Sequence, residues 1–124
     1  MIPKFRAYNP ATNDWYNSED VFVCDGKIYL NDEDFEELTQ NNDVELMQST
    51  GKMDLTGQVE VYAGDILYYP DQDDDNYGII KFDEDTLAFV LDNGYERFVY
   101  GDYGMGIVIG NIYENPELVE EING

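Results

Sequence analysis

Apolar and polar residues alternate along most of this chain in short runs, separated by clusters of Gly, Pro, Asn and Asp. Period-two alternation of this kind predicts half-buried strands joined by tight turns. In KFRAYNPATNDWY, Phe5 and Ala7 fall on one face and Arg6 and Tyr8 on the other. Asn9-Pro10 opens a turn, and Trp15-Tyr16 begins a return strand. VFVCDGKIYL predicts a hairpin, because Asp25-Gly26 is a preferred pair for a type I′ turn between two apolar runs. Residues 31–42 are expected to form a short helix or a loop. Asn31 can cap a helix whose first turn carries Asp32, Glu33 and Asp34, with Phe35 and Leu38 on one face.

Residues 44–49 read as a strand that enters LMQSTGKMDLTGQVEVYAGDIL. Turn signals recur there at Ser49-Thr50-Gly51, at 54–57 and at Ala63-Gly64-Asp65, each followed by residues that suit a strand. This segment is expected to carry a single compact unit from a first β-rich half, 1–56, into a second, 57–124. The second half predicts strands at 59–62, 66–69, 77–82, 87–91, 95–100 and 107–113. Polar breaks at 71–76, 83–86, 92–94 and 101–106 separate them, and Pro70 is expected to end a strand. That spacing points to a small barrel or sandwich. The last residues, GNIYENPELVEEING, predict a short helix capped by Asn115 with Pro116 at its first position. Leu118 and Ile122 would give it a face to dock. The fold class is mainly β with one C-terminal helix.

Composition adds two constraints. Apolar residues make up 43% of the chain and aromatics 15%, so a packed core rather than disorder is expected. The 28 acidic against 6 basic residues give a net charge of −22, which repels nucleic-acid phosphates and anionic membranes. Two readings of this charge stay open: a solvated surface, or an acidic face meant for a basic partner. Lys4, Arg6, Lys27, Lys52, Lys81 and Arg97 are too few and scattered for direct nucleic-acid binding.

Reactive chemistry is hard to assemble from this inventory. There is no histidine, which removes Ser-His-Asp and Cys-His arrangements and, with the lone Cys24, an intrachain nitrogen–sulfur zinc site. Cys24 cannot pair within the chain and is expected to be a small packing residue. Asp71, Asp73 and Asp75 alternate like a calcium loop. Asn76 nevertheless stands where a glycine is needed, and Phe82 where a bidentate glutamate is needed. The stretch reads as a solvated acidic loop. Glycine-rich GDYGMG lies among strands and reads as a turn or bulge. No enzymatic activity, metal or cofactor is expected. No apolar run approaches the ~20 residues of a membrane helix, and MIPKFRAYNP lacks the apolar core of a signal peptide, so a cytoplasmic location is expected.

KFRAY, LMQSTG, VYAGDIL and GNIYENPELVEE, in this order, resemble the YopX family of small proteins of phages and prophages of mainly Gram-positive bacteria. The family's usual FRAW, MQYTG and YEGDIV differ here at Tyr8, Ser49 and Ala63. The resemblance implies a β-rich protein with an SH3-like barrel in its later half and no enzymatic activity. It implies backbone-permissive positions at Gly51, Gly64 and Gly110, a turn hydrogen-bonder at Asp65 and a helix cap at Asn115-Pro116. None of these is a catalytic assignment.

Function is therefore expected to lie in binding a host or phage protein with a basic surface, with self-assembly as the alternative. Duplex DNA carries one charge per ~1.7 Å of axis. A compact chain of this length spans about 35 Å, and a duplex of that span carries on the order of 20 charges. An acidic DNA mimic that occupies the groove of a nucleic-acid-binding protein is the sharper form of this expectation. The expected contact residues are Asp71, Asp73, Asp74 and Asp75, the turn Asp83, Glu84 and Asp85, and Glu117, Glu120 and Glu121 of the terminal helix.

Overall fold

The computed structural model describes residues 4–31, 38–71, 74–100 and 106–123. The chain is mainly β with one short C-terminal helix and curled, barrel-like sheets. Its residues separate into two units, Met1–Ser49 and Thr50–Gly124.

In the first unit β1 (Phe5–Asn9) pairs antiparallel with β2 (Asp14–Tyr16), and a 3-10 turn at Ser18–Asp20 leads into β3 (Val21–Cys24). β3 pairs with β4 (Lys27–Asn31) across Asp25 and Gly26, whose φ of 53° and 73° are those of a type I′ turn. β4 then pairs with β5 (Leu38–Gln40), and β1 pairs with the first part of β6 (Glu45–Met53). Ala7, Val21, Ile28, Leu30 and Val44 form the core, flanked by Phe5, Tyr16 and Leu46. On the other face of β1, Tyr8 and Trp15 are cross-strand partners with ring centroids 4.7 Å apart, and the Arg6 guanidinium lies 5.3 Å from the Trp15 ring.

Two expectations about this unit are corrected. Leu38–Gln40 is a third strand rather than helix or loop. Its residues are all exposed, so it offered no apolar alternation to read. It is held by its ladder to β4, and the following turn is tied back by Asn41 N–H to Ile28 O (2.9 Å) and by Asn42 Oδ1, which accepts from Ile28 N–H (2.9 Å). Residues 32–37, including Phe35, lie outside the described residues. Cys24 is exposed rather than packed, because on β3 only Val21 reaches the core.

β6 runs on into the second unit, which corrects the turn expected at Ser49-Thr50-Gly51. These residues sit inside the strand. Gly51 has φ +76°, a conformation in which glycine meets no Cβ penalty, so it bends the strand without ending it. Thr50 supports the bend, since its hydroxyl donates to Val61 O (2.8 Å) and accepts from Lys52 N–H (3.1 Å).

Beyond a turn at 54–57 come β7 (Glu60–Tyr62), β8 (Asp65–Asp71), β9 (Asp74–Asp83), β10 (Ala88–Asp92), β11 (Arg97–Val99) and β12 (Ile107–Asn111). Five of them form an antiparallel sheet in the order β11-β10-β9-β8-β12. The break expected at 71–76 is narrower than supposed. β8 and β9 continue as one long hairpin, with Asp71 opposite Asp74. Pro70 lies within β8 and does not end it; among the described residues the ladder with β12 reaches Tyr68. Residues 101–105 of the glycine-rich stretch lie outside the described residues.

Consecutive buried pairs, Ile66-Leu67 and Ile79-Ile80, show that this sheet is covered on both faces. On one face Leu67, Ile80 and Leu91 pack with Val61 and Tyr100. On the other Ile66 and Ile79 receive Ile122, with Leu118 and Val119, from α1 (Pro116–Asn123). A full burial of a side chain of this size contributes about 1.5–3 kcal/mol. Gly110 is required for close approach, since a Cβ there would meet the Asn115 side-chain amide, whose Oδ1 accepts from Asn111 N–H (3.2 Å).

Asp54 holds the turn that precedes β7. It is 3% exposed. Its carboxylate accepts from Thr56 N–H (3.0 Å), the Thr56 hydroxyl and Val108 N–H (3.1 Å), which fastens the turn to β12. Burial alone would raise its carboxyl, but these donors outweigh burial and hold it below the ordinary value of 3.8. A lowered folded value means that Asp54 stabilises the fold above the ordinary carboxylate range, and that this contribution is lost as pH falls through the lowered value. Asp54→Ala leaves the Val108 and Thr56 donors without their acceptor and is expected to cost about 2–3 kcal/mol. Urea unfolding at neutral pH checks this, and the gap between variant and parent should narrow in acid, as pH falls below the ordinary value of 3.8 and through the lowered one.

Candidate functional site

Among the described residues, acidic side chains divide by burial, and three are withdrawn from water. Asp54, Asp65 and Asp92 are buried and spend their oxygens on the fold. Asp65 accepts from Tyr62 N–H (2.8 Å) across the Ala63-Gly64 turn, the role expected for it. Asp92, at the end of β10, accepts from Gly94 N–H (2.8 Å), Lys81 Nζ (3.1 Å) and Arg97 Nε (3.3 Å). Since Lys81 is on β9 and Arg97 on β11, one carboxylate staples three strands. Burial would push its carboxyl up, but the Gly94 N–H and then the two cations hold it below the ordinary value.

This staple changes the surface field. Residues 50–124 carry 17 acidic and 3 basic side chains, a net charge of −14. Two of the three cations, Lys81 and Arg97, are drawn onto Asp92.

The expected contact residues fall on three parts of the fold. Glu84 and Asp85 are exposed in the turn between β9 and β10, where Asp83 Oδ1 accepts from Asp85 N–H (2.9 Å). Glu117, Glu120 and Glu121 are exposed on α1. Asp71, Asp74 and Asp75 belong to the paired end of the β8–β9 hairpin. Asp73 lies outside the described residues, as do the side chains of Asp71, Asp74 and Asp75. β9 has ten residues, so at ~3.3 Å per residue its two acidic ends stand about 30 Å apart.

One concave feature went unread in the sequence. Asn76, Tyr77, Asn93, Tyr95, Glu121 and Ile122 line a cleft of ≈ 300 Å³ beside α1. Glu121 is the member of the expected set that reaches it. Three elements far apart in sequence build the cleft, and no local motif marks such a meeting. Its rim is firmly placed: Asn93 Oδ1 accepts from Tyr95 N–H (2.9 Å) and Glu96 N–H (2.7 Å), and Asn93 Nδ2 donates to Tyr69 Oη (3.1 Å).

With this geometry in hand, comparison with known proteins gives one decisive match: the YopX protein family profile covers residues 4–120. The chain belongs to the YopX family. Among solved structures it is similar to protein EF1440 from Enterococcus faecalis, at 27% identity and a TM-score of 0.68, over 96% of this chain and 99% of that one. No curated protein matches. The YopX match takes in both acidic turns and reaches Glu120, so the features described above belong to the family's span, with Glu121 just beyond it. No helix among the described residues is long and apolar enough to cross a membrane.

For this YopX-family chain, Asp92→Asn tests the staple. The substitution keeps the shape but removes the charge that holds Lys81 and Arg97. Both cations are partly solvated, so the expected loss is modest, about 1–2 kcal/mol. Thermal unfolding should show it at pH 7, and the difference should shrink in acid as the parent's Asp92 protonates through its lowered value.

Proposed function

We propose that this YopX-family protein is a phage or prophage accessory protein that works by binding a protein partner with a basic surface. The observation that supports this most is the imbalance of charge in residues 50–124, where 17 acids face 3 bases and two of those bases are held on a buried aspartate. A field of one sign attracts basic surfaces and speeds encounter, and it repels nucleic acid and anionic lipid.

In its sharper form the partner is a host nucleic-acid-binding protein whose groove the acidic chain occupies in place of DNA. The acids at the two ends of β9, about 30 Å apart, with those of α1, offer several separated negative groups rather than one knot. Separated charges suit a groove that normally follows a phosphate backbone.

Self-association is the second reading. It draws support from β11, an edge strand whose Phe98 and Val99 are 37% and 62% exposed. Like-charge repulsion between copies opposes it, and this ranks it second.

Capture from a bacterial lysate at low salt, followed by a salt gradient, tests the primary reading. The expected partner is basic, elutes as ionic strength rises, and is displaced by duplex DNA in competition. Retention indifferent to salt, or simultaneous binding of DNA and this protein, would count against it. A stable dimer by light scattering, lost on Phe98→Lys, would favour the second reading.

A further inference from the structure

We infer that the cleft beside α1 seats the guanidinium of an arginine side chain presented by the basic partner, an inference that rests on the partner-binding reading above. The first argument is size. At ~30 Å³ per water, a volume of ≈ 300 Å³ holds on the order of ten waters, enough for a side chain and small for a cofactor.

The second argument is chemistry. Two tyrosines, two carboxamides and one carboxylate line the cleft, over the buried Ile122. Tyr95 is 91% exposed, so a ligand that covers its ring removes much apolar surface from water. The Tyr77 ring is set against Tyr68, with centroids 5.5 Å apart, and Tyr95 is set by its backbone bond to Asn93. An aromatic face beside a carboxylate suits a flat cation, because a guanidinium can stack on the ring and donate in its own plane to the oxygens. An ammonium offers only a point charge, and it is more strongly hydrated.

The third argument is electrostatic. α1 ends at Asn123 with no basic residue in its last turn. The carbonyls at a helix C-terminus carry roughly −0.5 charge, which a nearby cation normally offsets. Glu121 instead adds a negative charge at that end. The nearest cations in sequence, Lys81 and Arg97, are engaged by Asp92. A cation brought by a partner would relieve this repulsion.

The test is an NMR titration of the full chain with three peptides of sequence Gly-Gly-X-Gly-Gly, in which X is arginine, lysine or citrulline. Arginine is expected to bind most tightly and to shift the resonances of Tyr77, Asn93, Tyr95 and Glu121, with lysine weaker and citrulline weakest. Glu121→Gln should weaken arginine binding about fivefold, and Tyr95→Ala about threefold. Glu114→Gln removes the same charge from an exposed position just before the same helix, outside the cleft and outside the proposed contact residues, and should leave binding within about twofold. Both Gln variants alter exposed side chains, and an unchanged dispersion of amide signals verifies their fold. The inference is overturned if citrulline binds as well as arginine, if the shifts fall elsewhere, or if Glu114→Gln weakens binding as much as Glu121→Gln. A salt-eluted partner captured equally by the parent and by Glu121→Gln would overturn the cleft's role and leave the partner reading standing. Arginine binding in the cleft without any basic partner in lysate would do the reverse.

Discussion

A carboxylate withdrawn from water must find donors or give up its charge, and this requirement organises the second half of the molecule. Asp54, Asp65 and Asp92 are each buried, and each meets backbone N–H groups at a place where the chain changes direction. Asp54 secures the turn between β6 and β7 and reaches β12. Asp65 closes the corner between β7 and β8, and Asp92 draws in a cation from each neighbouring strand. The aliphatic layers supply most of the driving force for folding, but they are not directional. Fixed carboxylate–amide bonds supply the direction, because a buried donor left unsatisfied costs more than an average hydrogen bond gains.

The same requirement sorts the protein's charge into two roles. Acids inside the turns have given their oxygens to the fold. Acids on α1 and at the turn that follows β9 remain exposed to solvent. Asp92 also fixes Lys81 and Arg97 at the end of β10, so the cations of the sheet are held in one place. Salt confines that field to roughly 10 Å at 0.1 M, so contacts matter more than net charge once a partner is near. In the proposed reading, a cleft with one carboxylate and two tyrosine rings gives that diffuse attraction a local target.

Much of this architecture was legible in the residues. Asp25-Gly26 announced its hairpin, since few other pairs accept φ > 0 at both positions. The strands expected at 66–69 and 77–82 and the Asn115-Pro116 start of α1 read equally directly. What misled was turn chemistry used inside strands. Ser49-Thr50-Gly51 has the composition of a turn, yet the Thr50 hydroxyl and a left-handed Gly51 keep it within β6 as a bend. Pro70 looked like a terminus and proved to lie within β8, one residue before its end. Leu38–Gln40 escaped notice because an exposed strand carries no alternation. Among candidate contacts, the acids were visible one by one, but their separation follows from the length of β9. The cleft depends on Asn76, Asn93 and Glu121 meeting in space, and no spacing along the chain encodes that.

Exchanging charge at the two populations separately, and reading stability and binding in the same samples, tests this division most directly. One variant would carry Glu117→Gln, Glu120→Gln, Glu121→Gln, Glu84→Gln and Asp85→Asn, and the other Asp54→Asn and Asp92→Asn. Unfolding midpoint and retention on an immobilised lysine- and arginine-rich protein would be measured for each. The account predicts that the surface variant keeps or raises its midpoint and loses retention, whereas the interior variant loses stability and, while folded, keeps retention. Equal loss of retention by both variants, or an interior variant as stable as the parent, would contradict it.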